Sequence, residues 1–231
     1  MKPPTFDKPA SWPILPWSTS ALVGVALPVL LILLLSDSPP SLTLAIAPIL
    51  TLSLMGVGII VAATTGFFAV GISLALLSAA GLLVLAVALG LPTFSHPVYI
   101  GSAMLVASAS FTARGALFAK TLSYRGWLMA LFVVAGEASV LLIVAVFPGV
   151  LPGWFLALLP AQWGSIAIQA AMTDPGPSAA ASALIALAGT ALTTLLAARF
   201  WLHPWPYPLM FTVWLGLSAV VYFDAASAFL R

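Results

Sequence analysis

Along most of the chain, apolar residues run in blocks of about twenty, separated by short stretches of proline, glycine, serine and charge. As an α-helix rising 1.5 Å per residue, such a block crosses the roughly 30 Å hydrocarbon core of a bilayer. The pattern predicts an all-α polytopic bundle with about eight spans, near 20–36, 42–63, 67–90, 98–119, 127–147, 152–173, 179–201 and 208–229. Residues 1–19, rich in proline and tryptophan, read as an interfacial lead-in to a single transmembrane domain over 20–231. Lys2 and Lys8 before the first apolar block suggest a signal peptide, but no A-x-A cleavage pattern follows, so the first span is expected to be retained.

Two blocks need closer reading. The apolar run from Leu42 to Leu91 is long enough for two crossings, and Thr64-Thr65-Gly66 is its natural turn. Pro48, inside the second span, predicts a kink. The segment 152–173 is weakened by Pro152, Pro160, Gln162, Gly164, Ser165 and Gln169. It is either an eighth span or a re-entrant segment that leaves seven. Gln162, Ser165 and Gln169 share one helical face, which should turn inward or line a hydrated cavity.

Composition agrees with the pattern: 63% of the 231 residues are hydrophobic and 5% are charged, against about 25% charged in a soluble domain. Cysteine is absent, which excludes disulfides and thiol chemistry, and two histidines, His96 and His203, are too few for a histidine-rich metal centre. No cofactor or metal is expected. The net charge of +2 gives no footing for nucleic acid, and the basic residues serve instead as topology markers. With eight spans, the positive-inside rule puts both termini in the cytoplasm, in an inner membrane of bacterial type, and leaves Arg199 as the exception; with seven, Arg231 is the exception. The rule orients the N-terminus and does not choose the count.

The chemistry rests on a few polar residues inside spans. Glu137 sits in the middle of Ala130–Ile143, where a charge facing lipid costs about 2.5–3.5 kcal/mol on insertion scales. It is expected to point into the bundle and to carry a proton unless a basic partner reaches it. Arg114 and Asp224 lie at similar distances from their helix ends, so with eight spans they are expected to pair. Ser110 belongs to a ridge of small residues with Ala103, Ala107 and Arg114, and Ser182, Ala186, Gly189 and Thr193 form a second stripe. Both stripes suit close helix packing; Ser108, Ser110 and Thr112 could instead line a substrate path.

Gly101–Gly136 resembles the last helical hairpin of lysoplasmalogenases, but the acidic motif expected in that family's earlier helices is absent, and no residue takes a role from it. Phosphate-binding-loop, H-E-x-x-H and nucleophile-elbow motifs are also missing. Three function classes remain. The first is a proton-linked transporter or permease using Glu137. The second is an accessory or assembly subunit, bound to a membrane partner or to a second copy through the small-residue faces. The third is an intramembrane lipid-modifying enzyme, for which Glu137 with Arg114 or Asp224 is the only supply of catalytic groups. Gln162 and Gln169 complete the polar candidates.

Overall fold

The computed structural model describes residues 14–37, 39–91, 97–147, 149–173 and 177–228, and every element among them is helical. The first thirteen residues of the expected lead-in lie outside the described residues, as do Lys2, Lys8, His96 and Arg231. We number the long helices α1 (Ile14–Leu35), α2 (Pro39–Thr65), α3 (Phe68–Ala88), α4 (Pro97–Leu122), α5 (Gly126–Val146), α6 (Pro160–Thr173), α7 (Pro177–Arg199) and α8 (Pro206–Ala228). A single helical turn, Gly153–Leu156, precedes α6.

Turn chemistry sets the boundaries. Thr65 ends α2, and Gly66 follows with a φ of 75°, a left-handed conformation that suits glycine, while its N–H closes onto the Ala62 carbonyl at 2.8 Å. Pro48 sits inside α2 without ending it. In α1, Pro28 has no N–H to give the Gly24 carbonyl four residues earlier, and the helix loosens into a π-helical stretch at Leu22–Ala26. The Ser78 hydroxyl of α3 reaches that carbonyl at 3.4 Å and also meets Ser53 of α2 at 2.8 Å. A defect that the sequence writes into one helix thus becomes a tie among three.

The buried centre is α2, against which α1, α3, α4, α5 and α6 all pack. Its approach to α4 is so close that a Cβ on Gly115 would lie 2.3 Å from the Ile59 carbonyl oxygen. Gly24 and Gly56 play the same part between α1 and α2. The ridge on α4 is consumed here: Ala103 and Ala107 are buried, and Ser110 meets Thr190 of α7 at 3.2 Å. On α7, Ala186 is buried, Gly189 faces Leu217 of α8, and Ser182 bonds Asp224 of α8. Both small-residue stripes are therefore used within the chain.

Seven of the described helices are long and apolar enough to cross a membrane; α6, with 14 residues, is not among them. At 1.5 Å per residue it extends only about 21 Å. Packing shows the same parity. Leu117, near the C-terminal end of α4, clusters with Ala197 and Ala198 at the C-terminal end of α7 and with Tyr207 and Met210 at the start of α8. The end carrying Lys120 and Arg125 thus also carries Arg199, whereas eight crossings would put Arg199 opposite them. At the other end, Asp224 lies with Ser182, and the turn at Gly153 meets Tyr222. The bundle follows the seven-span alternative, with Ile14 and Ala228 at opposite ends.

Two outcomes follow. With Lys120→Cys and Leu202→Cys introduced singly into a chain with no native cysteine, an impermeant thiol reagent should label both from the same side of the membrane; labelling from opposite sides would restore eight crossings. Gly115→Ala should lower stability in detergent by about 1–3 kcal/mol, the usual cost of overpacking, while Gly136→Ala, where a Cβ meets nothing within 4 Å, should leave it unchanged.

Candidate functional site

Glu137 lies about halfway along α5 and is buried, with 9% of its side chain exposed. Its two oxygens are held by two different elements. Oε1 accepts from Arg114 Nη1 of α4 at 2.5 Å, and Oε2 accepts the Ala161 N–H of α6 at 2.8 Å. Arg114 also stands over the Phe111 ring one turn earlier, 5.0 Å from its centroid.

The Ala161 contact follows from the sequence of α6. Pro160 opens the helix and has no N–H, so the first donor of the helix is Ala161. The N–H groups of Gln162 and Trp163 close onto the Leu159 carbonyl, which leaves the Ala161 donor to Glu137. An anion at a helix N-terminus also meets the positive end of the helix dipole. The segment leading to α6 is tied inward as well, because the fully buried Trp163 donates its indole N–H to the Ala157 carbonyl at 2.8 Å. Gly164 lets α6 settle against Thr51 and Phe111, whose atoms would stand 3.0 and 3.2 Å from a Cβ there.

Since α6 starts beside the middle of α5 while α5 ends and α7 begins at the same end of the bundle, the segment between them dips into the protein and returns. Non-helical backbone at that depth is tolerated only where protein or water satisfies it. Here, consecutive turns from Pro152 to Trp163 close their own hydrogen bonds, and Glu137 supplies the acceptor at the bottom.

The other expected site residues fall elsewhere. The Arg114–Asp224 pair is not made: Arg114 turns to Glu137, and Asp224 accepts from the Ser182 hydroxyl at 2.6 Å. The physical reason is parity, because an odd number of crossings puts Asp224 at the end of the bundle remote from Lys120, and α8 packs chiefly on α7. Gln162 and Ser165 face one cavity together, whereas the buried amide oxygen of Gln169 has no hydrogen-bond partner among the described residues. Ser108, Ser110 and Thr112 are buried against neighbouring helices. Residues missed in the sequence are Ala161, whose signal was Pro160 at a helix start, and Ser182, whose hydroxyl was read as packing alone. Among the described residues no group of three metal-ligating side chains occurs.

No family model matches this chain, and comparison with characterised proteins and with solved structures finds no match. The site has to be read from its geometry.

A buried charge that loses its partner costs about 3–5 kcal/mol. Arg114→Ala and Glu137→Ala should each destabilise the detergent-solubilised protein to that order, and the double variant should lose clearly less than their sum, measured as a thermal-unfolding cycle. Arg114→Ala combined with Asp224→Ala should be additive.

Proposed function

We propose that this protein is a small proton-linked membrane carrier in which Glu137 is the proton-accepting group. The observation that supports it is that one carboxylate in the interior of the bundle holds both a guanidinium and the first peptide N–H of a helix that begins there. Discontinuous helices whose ends meet charge near mid-membrane are a recurring means of building transport sites. A proton bound at Glu137 removes the negative charge that Arg114 and the α6 N-terminus share, and so weakens both ties at once. The re-entrant segment is then free to shift against α5. Losing the proton draws the three elements together again. The basic end of the bundle, with Lys120, Arg125 and Arg199, is assigned to the cytoplasm by the positive-inside rule, in an inner membrane of bacterial type.

The other readings have less support. An accessory subunit was argued from small-residue faces, and those faces are occupied inside the chain. A lipid-modifying enzyme needs a second acid or base beside Glu137, and Asp224 lies at the remote end with Ser182.

Proteoliposomes containing a trapped pH dye provide the test. An imposed pH gradient should collapse faster in wild-type vesicles than in vesicles with Glu137→Gln, compared at equal amounts of folded, reconstituted protein. Equal rates of collapse with the two proteins would overturn the role of Glu137.

A further inference from the structure

A cavity of about 470 Å³ lies between α1, α2, α5 and α6, within the range of about 300–1,000 Å³ typical of small-molecule sites. Leu34, Leu44 and Val146, all exposed, mark its mouth on the flank of the bundle near the ends of α1, α2 and α5. These three side chains make the mouth apolar. Among the described residues, none of the lining is charged.

The α6 side of the cavity differs. Gln162 and Ser165, one turn apart on α6, both line it, and neither side chain has a hydrogen-bond partner among the described residues. Pro48, in the same lining, has no N–H to give the Leu44 carbonyl one turn earlier. Polar groups left unpaired in apolar surroundings are costly, and they call for a ligand that can both donate and accept hydrogen bonds. An apolar mouth and an uncharged hydrogen-bonding side are complementary to a molecule with the same division.

We infer that this cavity is a binding site for a neutral amphiphile: a single hydrocarbon chain bearing an uncharged, hydroxyl-rich head of the monoacylglycerol type. It enters sideways from the bilayer, and its head lies against Gln162 and Ser165. A phosphate head would bring charge to a lining whose described residues include no cation to meet it. The inference rests on the cavity and not on the transport reading, and the two fail separately: binding is tested at Gln162, Ser165 and Leu142 of the lining, with Glu137 left intact, and proton movement is tested at Glu137.

The experiment is native mass spectrometry of the detergent-solubilised protein titrated with monoolein, with lyso-oleoylphosphatidylcholine and hexadecane as competitors. Monoolein should bind one per chain. Gln162→Leu combined with Ser165→Ala should weaken it about tenfold, the scale expected for the loss of a pair of hydrogen bonds, and neither competitor should displace it at equal concentration. Leu142→Trp, which fills the cavity from its wall, should abolish binding and keeps the proposal testable if the double variant does not fold. Unchanged affinity in the double variant, or displacement by either competitor, would overturn the inference.

Discussion

The carboxylate of Glu137 answers to two positive partners at once, and the arrangement of α4, α5 and α6 depends on that sharing. Arg114 alone would leave a cation within the bundle, and α6 alone would leave its first N–H unmet at a depth where water is scarce. One side chain resolves both. Its position midway along α5 therefore sets how deep the re-entrant segment reaches. Trp163 and Gly164 then fix the seat, the first by its bond to Ala157 and the second by allowing contact with Phe111 and Thr51.

Around this knot, the rest of the bundle is held by close approach more than by polar contacts. Glycines at 24, 56 and 115 bring helix backbones together, as membrane helices require where lipid is as apolar as the side chains and supplies no hydrophobic drive to associate. This is why α2, with no charged residue, is the buried centre, although the acidic α5 draws the eye in the sequence. The few hydroxyl bonds, such as Ser53–Ser78 and Ser110–Thr190, join helices at points where the backbone or a small residue has already made room.

Much of this was legible in the residues. Block length marks the seven helices long enough to cross a membrane; Gly66 marks the hairpin between α2 and α3; and Glu137, too costly to face lipid, had to point inward. The count of crossings was not legible, because moving Arg199 and Arg231 together leaves the charge bias unchanged. The partner of Arg114 was lost with it, since depth measured from helix ends places Asp224 near Arg114 only if the number of crossings is even. The start of α6 was half visible: Pro160 signals a helix beginning, but nothing in the sequence says that this beginning lies at the level of Glu137. Pairings across helices depend on rotation and depth together, and a single sequence carries only the first.

The central claim is that Glu137 anchors the beginning of α6 inside the bundle, and hydrogen–deuterium exchange of the detergent-solubilised protein tests it most directly. In the wild type, amides from 157 to 165 should be protected despite their nearness to irregular backbone. In Glu137→Ala, that segment should exchange much faster while α2 keeps its protection. A segment that exchanges freely in the wild type, or that is indifferent to the substitution, would contradict the account.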